Sequence, residues 1–201
     1  KKQLARFSTQ SRLRIQRKTA FFEGINAYNP FVGRIDNQDI ISATTNMKHT
    51  VYFNRTSAVF SADYSYDVSQ SKLLLATGYD GKYKASHSIN GRYTFHKEWS
   101  VLQSFETGEK QSVVDYTTGR NFQLNYFIWK PSLVFQPSTT LRLSLDARYS
   151  KKQNAINLGG ESATVKDIGC TVKYNQAQKG SLQVQLNIVQ IDFIGNANSP
   201  L

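Results

Sequence analysis

The chain has 201 residues, with 25 Lys and Arg against 14 Asp and Glu, and its formal net charge at pH 7 is +11. An excess of positive charge is compatible with binding to nucleic acid, with contact to anionic lipid headgroups and with a basic channel interior, and the net charge alone does not distinguish among these. The single cysteine, Cys170, excludes a disulfide framework within the chain. We expect one domain, because the length supplies one sizeable core.

No apolar run approaches the roughly 20 residues that a membrane-spanning helix needs, and the mean hydropathy is -0.47. A β-barrel wall also has low mean hydropathy, because its lipid-facing and lumen-facing residues alternate. The N-terminus, KKQLARFSTQ, has neither an initiator Met nor an apolar signal segment, and the C-terminus, NANSPL, stops just after a predicted strand. We therefore expect the chain to be a fragment of a longer protein.

The first fifty residues are less regular than the rest. RLRIQRK fits a strand with Leu13 and Ile15 on its inner side, whereas GINAYNPFVGRIDNQD is rich in turn formers and is predicted to be a loop. We interpret residues 1–50 as an irregular basic N-terminal segment packed on a sheet that residues 51–201 form.

Alternating segments follow one another from residue 51, and they predict strands, whose side chains point to opposite faces with period two. The pattern is clearest over 82–95, where even-numbered residues are polar and odd-numbered residues are mostly apolar or aromatic. Residues 60–66 and 99–105 repeat it. Turns are predicted at DVSQSK (67–72) and HKE, and a loop at TGEKQSVVDYTTGR (107–120).

The second half of the chain continues the alternation. NFQLNYFIW predicts a strand with Phe122, Leu124, Tyr126 and Ile128 on one side. KPSLVFQPSTT is either a short strand between two prolines or an irregular bend. TLRLSLDARY and DIGCTVKYN predict two further strands, separated by a Gly-rich loop at KKQNAINLGGE.

The last segment, SLQVQLNIVQIDFIG, changes the parity of its apolar residues between Ile188 and Val189, which predicts a β-bulge. No segment beyond residue 50 shows the 3.6-residue period of a helix, and the connections are short. The sequence therefore predicts an all-β, antiparallel up-and-down meander that is part or all of a transmembrane β-barrel.

Two architectures can cover the apolar face of such strands. A soluble sandwich or barrel turns this face inward, whereas a membrane barrel turns it toward lipid. Strands of about 9–13 residues favour the membrane, because this is the length that a tilted transmembrane strand needs. A polar face of mixed charge suits a hydrated lumen. Aromatic residues near strand ends are typical of an interfacial girdle: Tyr64, Tyr66, Trp99, Tyr149 and Tyr174.

A stretch covering most of the chain after residue 45 resembles large uncharacterised outer-membrane β-barrel-type proteins of Bacteroidota. The resemblance lies in HTVYFNRTSAVFSADYSY, LLLATGYDGKYK, GRNFQLNYFIWKPSLVFQPSTTLRLSLDARYSKKQNAINLGGESA and KGSLQVQLNIVQIDFIGNANSPL. It implies a β-rich region that continues into a C-terminal barrel segment ending on an aromatic residue. This sequence stops at Leu201 without that segment, so the resemblance does not imply a closed barrel here, and it implies no activity.

Candidates for catalysis are few. The histidines, at positions 49, 87 and 96, do not have metal-ligand spacing. Ser86 and Ser88 flank His87, but neighbouring strand residues point to opposite faces, which argues against a serine hydrolase. The glycines lack phosphate-loop spacing, and carboxylates at turns are ordinarily solvated. We predict no enzyme, no cofactor and no metal site.

The basic residues supply the remaining indication of function. A nucleic-acid platform interleaves basic and aromatic side chains on one surface, whereas here they lie on opposite faces, so we predict no nucleic-acid binding. A basic lumen or contact with acidic headgroups fits that separation better, although a charged, solvated surface gives the same pattern. The candidate lumen-lining residues are Lys82, Lys84, Arg92, Arg142 and Arg148.

From the sequence we expect an outer-membrane β-barrel protein or a fragment of one. Its predicted role is non-catalytic, in passage, docking or structural support at the cell envelope, with outer-membrane lipid and other envelope proteins as partners. The alternative is a soluble, secreted or periplasmic β-domain that binds a protein or glycan partner.

Overall fold

The computed structural model describes residues 6–19, 40–115, 121–155, 159–176 and 179–195. These residues form one nine-stranded antiparallel sheet in which every strand pairs with its neighbours in sequence. The strands are β1 (Phe7–Thr19), β2 (Ile40–Phe53), β3 (Phe60–Leu75), β4 (Gly78–Phe95), β5 (Trp99–Val114), β6 (Phe122–Phe135), β7 (Leu141–Asn154), β8 (Ser162–Gln176) and β9 (Gly180–Ile194). The predicted all-β, up-and-down meander is confirmed. The sheet is open, with β1 and β9 at its edges.

The N-terminal residues already belong to this sheet. β1 pairs with β2 from Phe7↔Phe53 to Thr19↔Ile40, and β2 pairs with β3. The described residues of the segment 1–50 are therefore not irregular, as was expected, but form strands. In RLRIQRK the basic residues Arg12 and Arg14 alternate with Leu13 and Ile15, which is the pattern that a strand with two different faces requires. The loop predicted over 24–39 lies outside the described residues.

The strands are longer than predicted, at 13–18 residues. The turn expected at 67–72 lies inside β3, and the first part of the loop expected at 107–120 is the end of β5. Both segments are polar, yet their backbone groups pair fully with the neighbouring strands, as at Ser69↔Lys84 and Gln111↔Gln123. Polar composition does not end a strand when the adjacent strand supplies hydrogen-bond partners.

Residues 130–135 form the end of β6, which decides between the strand and the bend considered for this segment. Pro131 has no backbone N–H to donate, and it lies opposite Gln103 of β5. On the other side of β6 the described register passes from Trp129↔Tyr149 to Ser132↔Asp146 without pairing at Pro131. The proline is therefore accommodated by a local gap in one ladder.

The β-bulge predicted in the last strand is absent. β9 keeps one register with β8 from Gln176↔Gly180 to Ser162↔Ile194. Leu182, Val184, Leu186 and Ile188 consequently share one face, while the apolar residues from Val189 onward point to the other. The apolar residues of β9 therefore move from one face to the other at Val189 because the sequence changes there, and not because a residue is inserted into the strand.

The register divides the side chains between two faces of different chemistry. The apolar face holds residues such as Tyr64, Ile89, Trp129, Leu145 and Ile168, and the polar face holds their odd–even complements, including Ser65, Ser86, Lys130, Ser144 and Asp167. No second layer of described residues packs on either face. The largest fully buried side chains are therefore not hydrophobic: Asn154, Thr45 and Ser150.

The two ends of the sheet differ in their connections. One end of the sheet, here called the turn end, has the connections 54–59, 96–98, 136–140 and 177–179. The other end, here called the loop end, has the connections 20–39, 76–77, 115–121 and 155–161. Serine hydroxyls accept backbone N–H groups in two of the turns, Ser57 from Val59 and Phe60 and Ser138 from Thr140 and Leu141. No helix in the described residues is long and apolar enough to cross a membrane.

Gly108 allows close approach of β4 and β5. A Cβ added there would clash with the carbonyl oxygen of Ala85 and would lie 2.9 Å from the Cα of Ser86, which are backbone atoms that cannot move aside. We predict that Gly108→Ala lowers the free energy of unfolding by about 1–3 kcal/mol, the usual cost of overpacking. Gly91→Ala is the matched control, because its Cβ meets nothing within 4 Å. Equal thermal unfolding midpoints for the two variants, followed by circular dichroism, would contradict this packing.

Candidate functional site

An apolar belt crosses the apolar face from β2 to β9. It consists of the apolar-face residues within 47–53, 60–68, 85–95, 99–107, 127–135, 141–149, 168–174 and 182–188. Many of its side chains are exposed, such as Leu145 at 53%, Ile168 at 62% and Ile188 at 76%, whereas Val68 and Ala85 are buried. A contiguous apolar surface of this extent marks a site that contacts a membrane or another apolar partner.

Aromatic side chains lie at both margins of the belt over β3 to β6. At the turn end Phe53 lies 5.9 Å from Phe60, and Trp99 lies 6.3 Å from Phe95 and 4.3 Å from Phe135, measured between ring centroids. A second row follows nearer the loop end: Tyr66 with His87, Phe105 with Trp129, and Phe127 with Tyr149. Six to eight residues separate the rows along β5 and β6, or about 20–26 Å of strand.

Several polar side chains within the belt have protein partners. The Nδ1 atom of His87 lies 2.7 Å from the hydroxyl of Tyr64, and the Nδ1 atom of His49 lies 2.6 Å from the hydroxyl of Ser11. Gln103 accepts a hydrogen bond from the indole N–H of Trp129 at 2.8 Å, and Thr107 donates to the carbonyl oxygen of Tyr126. Internal pairing of this kind is what a hydrocarbon environment requires, since no water is available there.

The polar face carries all five candidate lumen-lining residues. Lys82, Lys84 and Arg92 occupy one face of β4, and the register through β5 and β6 places Arg142 and Arg148 of β7 on that same face. The structure thus brings the five onto one surface of the sheet, on two strands that β5 and β6 separate. Their role in lining a lumen stays a prediction.

Three of these residues already have partners. Lys82 pairs with Asp80 at 3.4 Å, and Lys84 pairs with Glu106 at 3.7 Å. Arg92 donates to the backbone oxygen of Ser57 at 2.7 Å, which holds the turn between β2 and β3. Exposed ion pairs contribute little stability in water, so these contacts mainly fix where the charges lie.

Glu106 also anchors a buried tyrosine. The hydroxyl of Tyr126 donates to Glu106 at 2.9 Å, and the Tyr126 side chain lies above Gly108, which leaves room for it. Phe122, Leu124, Tyr126 and Ile128 share a side as predicted, and this is the polar face. The polar face therefore contains large apolar groups on β6 as well as charges.

A pocket of about 250 Å³ opens on the polar face across β6 to β9. Gly169 forms its floor; a Cβ at this glycine would lie 2.7 Å from the side-chain oxygen of Asn187. Arg148 and Asp167 are opposite each other across β7 and β8, and Asp146 is opposite Gly169. Two cationic and two anionic side chains border it: Lys130, Arg148, Asp146 and Asp167. No ion pair links these four within the described part of the chain.

Sequence reasoning did not find most of this pocket. Lys130 lies in the segment for which the sequence leaves a strand and a bend open, and Asp146 and Asp167 are not among the predicted site residues. The available signal was the alternation itself, which places Asp146 between Arg142 and Arg148 on one side of a strand. Gly169 carries no such signal, because its role depends on neighbouring strands.

The described residues do not bring a catalytic group together around the histidines. Ser86 lies on the polar face and His87 on the apolar face, as the alternation predicted. The Ser11–His49 contact, which sequence reasoning missed, joins residues opposite each other on β1 and β2, and the structure records no carboxylate bonded to His49. No group of three or more His, Cys, Asp or Glu side chains in these residues could hold a metal ion.

Comparison of the chain with protein-family models, with curated proteins and with solved structures returned no match. The resemblance to outer-membrane proteins of Bacteroidota consequently stays a prediction.

Proposed function

We propose that this sheet is part of the wall of an outer-membrane β-barrel. Its apolar belt faces lipid and its polar face lines the interior, and the protein acts without catalysis in passage, docking or structural support at the cell envelope. The outer-membrane-type resemblance of the sequence agrees with this proposal and adds no activity.

The observation that carries the proposal is the exposed apolar belt between two aromatic rows. Four of its eight segments are nine residues long and one, on β4, is eleven, within the 9–11 residues that a tilted transmembrane strand needs, while those on β2, β8 and β9 are seven residues long. Aromatic girdles at both margins are characteristic of such barrels. Internal hydrogen bonds at His49, His87, Gln103 and Thr107 further support contact with hydrocarbon.

The connections supply an orientation. Outer-membrane barrels have short periplasmic turns and longer extracellular loops. The turn end would accordingly face the periplasm, and the loop end would face outward. The strands extend past the belt at the loop end, where the apolar face changes to residues such as Gln70, Glu109, Gln123, Lys151 and Lys166.

The polar face supports passage or docking because it combines water-compatible groups with fixed charges. Its basic side chains outnumber its acidic ones, so we propose that the interior attracts anionic solutes. The pocket around Gly169 adds a polar recess with charges of both signs.

The alternative is a soluble β-domain whose apolar face packs against a protein or glycan partner. A soluble single-layer sheet needs such a cover, since uncovered belts of this size aggregate. The two proposals differ in what a charge in the belt would cost.

We predict that Leu145→Arg lowers the free energy of unfolding in lipid vesicles by about 2–4 kcal/mol, the cost of a cation near the bilayer midplane. Leu145 lies in the middle of the β7 belt segment and is half exposed. Ser144→Arg is the matched control on the polar face, where an added arginine remains hydrated. Denaturant titration in phosphatidylcholine vesicles measures both variants. A change below about 0.5 kcal/mol for Leu145→Arg, typical of a solvent-exposed site, would refute the lipid-facing belt.

Replacing Arg142 and Arg148 together by Ser is expected to lower the anion preference of single-channel or bulk conductance in planar bilayers. The physical reason is that two fixed positive charges leave the interior. Lys151→Ser with Lys166→Ser removes the same charge from the apolar face and should leave the preference unchanged. If the two double variants change the anion preference equally, Arg142 and Arg148 do not determine it.

A further inference from the structure

The two edge strands leave backbone groups without partners in the sheet. β9 pairs with β8 along Gly180–Ile194, and no strand among the described residues lies along its other edge. The outer edge of β1, beyond its pairing with β2, likewise has no neighbour in the described ranges. Within a bilayer each unpaired N–H and C=O group is costly, and a wall that spans a membrane must have no open edge. This argument rests on the proposed function.

Because of their direction, β1 and β9 cannot pair with each other in the antiparallel manner of the other strands and so close the sheet. All pairings are antiparallel, so strands with odd numbers run in one direction and strands with even numbers run in the other. β1 and β9 both run from the turn end to the loop end. Their direct pairing would be parallel, whereas antiparallel single-chain barrels of bacterial outer membranes have even strand numbers.

A second copy of the sheet does not solve this problem. Two copies in one membrane share the same orientation, so β9 of one copy would again meet β1 of the other in parallel. Antiparallel β9–β9 pairing would require one copy to be inverted in the membrane, which would place its turn end on the opposite side.

We infer that the edges of this sheet are closed by an odd number of further antiparallel strands that are not among β1–β9. The strand beside β9 runs from the loop end to the turn end and is part of the same membrane wall. The occupant is therefore a β-segment of defined direction, not lipid and not a second copy of this sheet.

The side chains of β9 describe that neighbouring strand further. Toward the turn end, β9 is apolar on the belt side and carries Gln183, Gln185 and Asn187 on the polar face. Toward the loop end, the pattern reverses, with Val189, Ile191 and Phe193 on the polar face and Gln190 and Asp192 opposite. Since cross-strand neighbours match in chemistry, the adjoining strand should show the same reversal of parity at that height.

Cross-linking in native envelopes tests this inference. In a Cys170→Ser background, Thr171→Cys with Gln185→Cys is the positive control, because these residues are directly opposite each other. Asn187→Cys is then combined in turn with Gln10→Cys, Arg12→Cys or Arg14→Cys on β1, and each pair is treated with the short thiol cross-linker dibromobimane. We expect a product for the control and none for the β1–β9 pairs. A product at the control yield for any β1–β9 pair would overturn the inference.

A photo-cross-linker at Ile188 identifies the neighbour of β9 directly. p-Benzoylphenylalanine at this position, followed by mass spectrometry, should yield peptides from a strand that is not among β1–β9, in addition to peptides of β8, where Ile168 is directly opposite Ile188. Peptides from 6–19, from a second copy, or no peptide at all would each overturn the inference. Alkaline carbonate extraction of the same envelopes distinguishes failure of this inference from failure of the proposed function. If the protein stays in the membrane and β1–β9 cross-links form, only the inference about the neighbouring strand is wrong. If the protein is released from the membrane, the proposed function is wrong.

Discussion

Continuous antiparallel pairing of the backbone is the constraint on which the rest of this structure depends. With one register kept across β2 to β9, every second side chain of each strand falls on the same face of the sheet, and local alternation becomes a large-scale division of chemistry. The tyrosines of β3, the indoles of β5 and β6 and the leucines of β7 and β9 form one belt for this reason. A one-residue slip in any strand would send its apolar residues into the charged face.

Because the described residues form a single-layer sheet, a hydrophobic core between two packed layers does not contribute to their stability. The largest fully buried side chains are polar, and other buried polar side chains are joined by hydrogen bonds between neighbouring strands, such as that between the hydroxyls of Thr50 and Ser65. The driving force of apolar burial must therefore act outside the sheet, at the belt. Lipid supplies it in the proposed barrel, and the polar groups of the belt, such as Gln103 with Trp129, are paired accordingly.

Much of the fold could be predicted from the sequence, because alternation is a local property of each strand. The opposite faces of 82–95 and the common face of Phe60, Ala62, Tyr64 and Tyr66 follow from residue order alone. The ends of strands could not be predicted, since the polar residues after Asp67 remain extended because β2 and β4 pair with them on both sides. The supposed bulge at Ile188 was wrong for a related reason: a change in side-chain chemistry on one strand does not reveal the register with its neighbour. The pocket around Gly169 likewise depends on four strands meeting.

The central claim is that the apolar belt is embedded in a lipid bilayer. Alkaline carbonate extraction of native envelopes that contain the protein tests it most directly, because carbonate removes peripheral proteins and leaves membrane-spanning ones in the pellet. We expect the protein to stay in the membrane pellet. Its release into the carbonate wash would contradict the account and would mean that another apolar surface covers the belt.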